Sequence, residues 1–348
     1  MKIRNIKLIN KIVLILLVVL LNTSHLYSEH KKILISPEGL ILSPDGEKIA
    51  FGVKYKRENG KIGADIYVIN DKDNRCFQIT RKWLNEYPNW SADGKKIIFK
   101  RTTNNGAGIY VIDLSTLEEI SLIFSGFCNN CNKRSFAEFL YPAWFENINK
   151  IMFLKYVYKN QTTQELYLYD FLSFKESFID NLSSLLRNTV DIAIKKGYIV
   201  YTKNDEVWLL NVSEKEKRLV VKNFQVKYLR VSPDGTKILF IVRDHLKEKL
   251  YIFNLKEKER YLIYEGRSKY LGFPSWSYDG RKIIFVDNKR IFIYDVEEKQ
   301  IMSKVNLKNE KIFYPLLTKS NKIFFIKGHN TVYCLSLDND IFNKVFPE

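Results

Sequence analysis

From residue 31 onward, apolar and polar positions alternate in short runs that keep returning. The clearest run is Ile-x-aromatic after a turn. It reads EKIAF (47–51), KKIIF (95–99), NKIMF (149–153), KGYIVY (196–201), TKILF (236–240), RKIIF (281–285) and NKIFF (321–325). A second aromatic-bearing run follows each copy: IYVIN (66–70), IYVID (109–113), LYLYD (166–170), VWLLN (207–211), LYIFN (250–254), IFIYD (291–295) and VYCLS (332–336). A period of two over so few residues predicts β-strands. Six of the seven second runs end in Asp or Asn, whose side chains open turns by bonding nearby backbone amides. A third run then follows, as in RCFQIT (75–80) or ERYLIY (259–264).

The turn ahead of the first run has its own chemistry. SPDG stands at 43–46 and 232–235, SADG at 91–94 and SYDG at 277–280. Proline fixes φ, Asp bonds locally and Gly supplies φ > 0, so each turn closes an antiparallel hairpin. The strand entering it carries an aromatic-Pro pair, as in YPNW (87–90) and FPSW (273–276). A missing N–H is harmless on an edge strand, which places this strand at the edge of its sheet. Each repeat is then four strands, A to D, of a size that builds propeller blades. The expected fold is all-β: one β-propeller domain over residues 29–348 with seven four-stranded blades. A six-bladed closure is the alternative, because repeats 4 and 7 are weak. The recurring Ser, Asp and Trp are read as blade-building residues rather than catalytic ones.

Residues 1–28 are set apart. Lys2, Arg4, Lys7 and Lys11 precede an unbroken apolar run from Ile12 to Leu21. Ten helical residues span about 15 Å, half of a bilayer core. The pattern reads as a signal peptide, with an uncleaved N-terminal anchor as the alternative. Export to the periplasm follows from either. The net charge of +17 favours acidic partners, anionic glycan or an acidic protein face among them, and export argues against nucleic acid. Membrane contact is expected only through an uncleaved N-terminal segment.

The quoted repeats, SPDGEKIAF…DIYVIN…QIT and YPNWSADGKKIIF…GIYVIDL, resemble the WD40-like repeats of TolB-type propellers. Similar repeats also occur in propellers attached to prolyl-oligopeptidase-type hydrolases and in oligogalacturonate lyases, which hold a metal through several His. The resemblance implies a propeller that binds envelope proteins, a lipoprotein among the candidates. TolB proteins carry an α/β domain ahead of six blades, and this chain has no room for one between residue 28 and its first repeat.

Two candidate surfaces follow. The B–C connections of repeats 1–3 are long and mix Lys, Arg, Tyr and Asn. From them come Lys54, Lys56, Arg57, Lys100, Arg101, Tyr156 and Lys159, joined by Lys133 and Arg134. Loops on a rigid scaffold are where binding sits. The second surface is the channel mouth, where Tyr87, Tyr141, Tyr228, Phe273 and Tyr314 recur ahead of strand A; wedging between blades is the other reading of the same residues. Cys128 and Cys131 are placed for a short loop-pinning disulfide, with free thiols as the alternative. There is no G-x-S-x-G elbow and no P-loop, and His245 and His329 alone lie well inside the body of the chain. The sequence therefore predicts no catalysis, no cofactor and no metal. It predicts a protein-interaction scaffold first, a module for an anionic cell-wall glycan second, and a metal-dependent lyase last.

Overall fold

The computed structural model describes residues 33–347, apart from 37–38, 127–137, 146–148, 159–161, 183–189, 194–196, 204–205, 213, 223–224, 245–246, 267–270, 308–310 and 339–340. Among the described residues there are 29 strands, β1 to β29, in seven blades. Blade 1 holds β1 (Ile33–Ile35), β2 (Ile41–Leu42), β3 (Lys48–Lys56), β4 (Ile62–Asn70) and β5 (Cys76–Gln78). Blade 2 holds β6 (Leu84–Trp90), β7 (Lys96–Thr102), β8 (Gly106–Asp113) and β9 (Glu119–Gly126). Blade 3 holds β10 (Glu138–Phe145), β11 (Lys150–Tyr158), β12 (Thr162–Asp170) and β13 (Lys175–Leu182). Blade 4 holds β14 (Val190–Ala193), β15 (Tyr198–Lys203), β16 (Glu206–Asn211) and β17 (Glu216–Val221). Blade 5 holds β18 (Gln225–Val231), β19 (Lys237–Asp244), β20 (Lys247–Asn254) and β21 (Glu259–Glu265). Blade 6 holds β22 (Leu271–Trp276), β23 (Lys282–Asp287), β24 (Arg290–Asp295) and β25 (Gln300–Asn306). Blade 7 holds β26 (Ile312–Leu317), β27 (Lys322–Lys327), β28 (Thr331–Ser336) and β29 (Phe342–Phe346).

Each sheet is antiparallel in chain order, and the A strand of one blade touches the A strand of the next. The A strands therefore form the innermost ring, and the D strands face solvent. Blades 1 and 2 are also joined by a short parallel pairing, Ala64 opposite Leu84. Apolar residues on both faces of each sheet fill the gaps between blades, which suits strands that alternate without a solvent face.

The repeated turn works as its chemistry requires. Ser43 Oγ donates to Asp45 Oδ1 at 2.5 Å, Asp45 accepts the Glu47 N–H, and Ser43 Oγ accepts the Lys48 N–H. Ser91–Asp93, Ser232–Asp234 and Ser277–Asp279 repeat the same bonds. In blades 2 and 6 the tryptophan ending strand A bonds the blade before it. Trp90 Nε1 donates to the Ile41 carbonyl at 3.0 Å and Trp276 Nε1 to the Arg230 carbonyl at 3.3 Å.

Blade 7 is closed without strand exchange. FNKVF forms its own fourth strand on β28, and β1 pairs with β3 inside blade 1. The ring is held instead by a shared core (Phe51, Ile69, Phe324, Val332 and Phe346 among others) and by a polar latch. In blades 2 to 7 the residue following strand C is apolar: Leu114, Phe171, Val212, Leu255, Val296 and Leu337. In blade 1 it is Asp71, buried at 2% exposure. Asp71 takes the Thr318 hydroxyl at 2.9 Å and the Ser320 N–H at 3.2 Å. It thus gives the A–B turn of blade 7 the carboxylate that the turn TKSNK (318–322) lacks. Lys319 Nζ to Glu47 at 2.9 Å and the Ile35 N–H to the His329 carbonyl at 2.8 Å complete the seam.

Strand A bends at a bulge in each of blades 2, 3, 5, 6 and 7. Tyr87, Tyr141, Phe273 and Tyr314 stand there with φ of 56°, 50°, 55° and 51°, each followed by Pro. The bulge takes the residue out of the extended region, and the proline disfavours the right-handed helical one. Blade 1 uses Gly39 instead, at φ 77°. A Cβ on Gly39 would lie 2.2 Å from the Tyr314 ring.

Two outcomes are expected from this architecture. Gly39→Ala should destabilise by roughly 2–5 kcal/mol, combining left-handed strain with a clash. Gly60→Ala, at φ 79° with nothing within 4 Å, should cost only about 1–2 kcal/mol. Denaturant midpoints of the two variants check the difference. The second outcome concerns acid. At Asp93 the Ser91 hydroxyl is the main influence and lowers the carboxyl below its ordinary value. At Asp45, Asp234 and Asp279 burial is the largest single influence and raises it, but the seryl hydroxyl and backbone N–H groups together lower it further. A depressed folded value means stability present above the unfolded carboxyl value, about 4, and lost as pH falls through the folded ones. The midpoint should hold from pH 7 to about 5 and fall below about 4, and Asp279→Asn should flatten part of that fall.

Candidate functional site

The B–C connections of blades 1–3 are not long loops. Lys54 and Lys56 lie in β3, Lys100 and Arg101 in β7, and Tyr156 in β11, so the elaboration is extended hairpin with short tips. Most of the basic groups described there turn inward. Lys100 is 3% exposed and Arg101 8%. Lys54 Nζ lies 2.5 Å from Glu86 Oε1, and Lys100 Nζ lies 3.7 Å from Glu86 Oε2. Arg101 grips both oxygens of Glu119 and donates from Nε to Asn85 Oδ1 at 2.7 Å. Arg57 donates to the Trp83 carbonyl at 2.6 Å, and Tyr156 accepts a bond from Gln164. Lys56 is exposed. Lys159, Lys133, Arg134, Cys128, Cys131 and residues 1–28 lie outside the described residues.

Behind these pairs sits a buried polar network. Asp65 accepts from Tyr55 at 2.5 Å, Gln78 at 3.1 Å and Asn85 at 3.0 Å. Burial, the dominant influence, pushes the Asp65 carboxyl above its ordinary value despite those bonds. Blade 5 repeats the theme. Glu248, fully buried, accepts from Lys227 at 3.1 Å and from Arg243 at 3.1 Å. Neither acid stood among the sequence candidates. The signal was present: Asn85 and Glu86 interrupt a strand that should be buried, and so does Glu248 in KEKLYIF.

The five aromatic candidates all sit at the strand A bulges, and the structure joins each of the five rings to another candidate on a neighbouring blade. Tyr87 and Tyr141 lie 4.5 Å apart, Tyr228 and Phe273 5.3 Å, and Phe273 and Tyr314 4.4 Å. Tyr314 carries the belt on to Gly39 of blade 1. Phe313, 5.4 Å from Phe273, and His329, 4.2 Å from Phe313, extend it towards the B–C face. Lysines cap it on opposite sides of the axis: Lys100 lies 5.8 Å from the Tyr87 centroid and Lys227 5.6 Å from that of Tyr228. Tyr141 is 47% exposed. The result is a rigid aromatic rim whose neighbouring cations are held by carboxylates of the fold, Lys54 and Lys100 on Glu86 and Lys227 and Arg243 on Glu248. The exposed ring faces of such a rim have the geometry for stacking on apolar and aromatic groups. Among the described residues no three His, Cys, Asp or Glu side chains come together to hold a metal ion.

A family model, the N-terminal region of dipeptidyl peptidase IV, matches residues 232–315. No curated protein matches by sequence. Among solved structures, an oligogalacturonate lyase from Vibrio parahaemolyticus is similar at TM-score 0.61 and 12% identity, covering 90% of each chain. Acylaminoacyl peptidase from Pyrococcus horikoshii is similar at 0.66 and 13%, covering 91% of this chain and 52% of its own, so this chain spans about half that peptidase. TolB from Acinetobacter baumannii is similar at 0.53 and 13%, covering 83% of this chain and 67% of its own. The likeness to TolB is therefore one of fold, and the matching family model is a peptidase region rather than a TolB-type repeat.

One expectation is corrected by these matches. The sequence predicted a chain without catalysis, yet the lyase and the peptidase carry the same fold, and the family model comes from a peptidase. Propeller repeats serve enzymes and binding proteins alike, so blade-building residues give no ground for excluding an enzyme.

The inward-facing charges make a stability prediction. Arg101→Ala should cost about 3 kcal/mol, because Glu119 and Asn85 lose their partner next to a buried network. Lys56→Ala should cost less than about 0.5 kcal/mol. Chemical denaturation of the two variants checks the contrast.

Proposed function

We propose that the chain is an exported propeller that acts as a protein-interaction scaffold in the periplasm and grips an envelope protein at the aromatic rim. The observation that carries this reading is Tyr141, half exposed and braced on Tyr87 at a bulge that fixes both backbones. Tyr is enriched among residues that dominate interface energies, and a preorganised ring loses little entropy on binding. The basic N-terminal residues and the apolar run after them support export. The burial of Lys100 and Arg101, at 3% and 8% exposure, argues against a charge-led glycan contact through them.

The test is affinity capture from native envelope extract on the full chain, with Tyr141→Ala as the parallel column. A specific protein should be retained by the first and reduced at least tenfold on the second, in line with a hot spot of about 1.4 kcal/mol or more. Retention of that protein equally by both columns removes the rim from the reading. No retained protein, or anionic glycan retained and released by salt, overturns the scaffold in favour of the glycan module.

A further inference from the structure

Away from the rim, the outer side of blades 3 and 4 holds a cleft of about 200 Å³ lined by Asp180, Lys203, Glu206, Trp208 and Lys217. Asp180 comes from β13, and the other four come from three strands of blade 4. Asp180 accepts from Tyr201 Oη at 2.7 Å and Lys203 Nζ at 2.8 Å, and Lys217 Nζ lies 3.1 Å from it. Lys217 Nζ also reaches the Ile179 carbonyl at 3.2 Å. Two ammonium groups on one carboxylate leave a local charge of +1. An ammonium has three protons, so both lysines keep donors to offer. Trp208 packs one side of its ring on the blade 3–4 core and donates from Nε1 to Glu206 Oε2 at 3.2 Å. That bond leaves a second Glu206 oxygen to accept.

We propose that this cleft binds a small carboxylate-bearing molecule with hydroxyl or ammonium donors at its other end. The carboxylate takes the Lys203–Lys217 side, the body lies on the Trp208 ring, and the donors meet Glu206. The charge pattern selects this class. A plain anion leaves Glu206 unused, a plain cation meets the +1 side, and a neutral apolar molecule leaves both charges without a partner. Burial of Asp180, which alone raises its carboxyl, is outweighed by the bonds from Lys203, Tyr201 and Lys217, and the group is lowered to about 2. Asp180 therefore stays ionised and holds both lysines in place throughout the neutral range. An acidic sugar and a free amino acid share the required chemistry and fit the volume. This site is independent of the rim.

Calorimetric titration of the full chain with glucuronate, glucose, leucine and leucinamide tests it. Glucuronate bound without glucose identifies the sugar-acid source; leucine bound without leucinamide identifies the amino-acid source. Lys203→Ala and Lys217→Ala should each weaken the bound compound by roughly tenfold, as loss of a charge-assisted bond does. Trp208→Phe should keep binding while removing the tryptophan fluorescence change that accompanies it. Melting curves of the lysine variants confirm the fold, since both side chains are partly exposed. No binding of either carboxylate up to on the order of 10 mM, equal binding of the analogues that lack the carboxylate, or lysine variants that bind like the parent would each overturn the site.

Discussion

A ring of seven sheets has to close, and here no covalent strand crosses the closing gap. Six junctions follow the chain, so the connection holds neighbouring blades at high effective concentration. The seventh, between blades 7 and 1, has no chain connection and is held by side chains and by two backbone bonds, from the Ile35 N–H to the His329 carbonyl and from the Lys319 N–H to the Gly46 carbonyl. Asp71 is the centre of that junction. Every other blade places an apolar residue there to fill the gap to its neighbour. Blade 1 buries a carboxylate instead and spends it on Thr318 and Ser320. A buried carboxylate is tolerable only when it is bonded, so the polar latch demands the partner blade in correct register. An apolar residue would close the gap with less demand on alignment.

The same exchange explains how the repeats read in sequence. Repeats 1, 2, 5 and 6 are plain because Ser, Asp and Gly sit within one turn and report on each other at fixed spacing. Repeat 7 is faint because its turn borrows a carboxylate from 247 residues away along the chain. Repeat 4 is faint because its strands meet at Gly197 without the Ser-x-Asp pair. The fold was legible wherever the stabilising contacts were local, and blurred where a contact crossed between blades. The last blade is finished from within its own repeat, by FNKVF paired with β28.

The site was legible in position but not in character. The bulge aromatics could be placed from the aromatic-Pro spacing, because a strand-edge proline marks a fixed point in each repeat. The basic residues of blades 1–3 could be found but not judged. Lys54 meets Glu86 of the next blade, and Arg101 meets Glu119 of the outer strand, so neutralisation depends on pairing that spacing does not reveal. A Lys or Arg in a predicted hairpin looks solvated until its carboxylate is located. Asp65, Asn85 and Glu248 were visible only as polar interruptions of apolar runs.

The latch and the rim are not separate features. Tyr314 belongs to both: its ring lies against Phe273 in the aromatic belt and over Gly39 at the seam. Its φ of 51° is costly for a bulky residue and persists only where surrounding contacts determine it. Gly39 provides the flat surface, and the missing side chain of blade 1 is the reason the belt can reach across the closing junction. A ligand that binds the rim on blades 6 and 7 therefore presses on the one junction that no strand secures. Any such ligand that prefers the closed ring stabilises it by mass action, in proportion to its occupancy. The aromatic belt and the closure of the ring draw on the same side chain, and a substitution that frees Tyr314 loosens both.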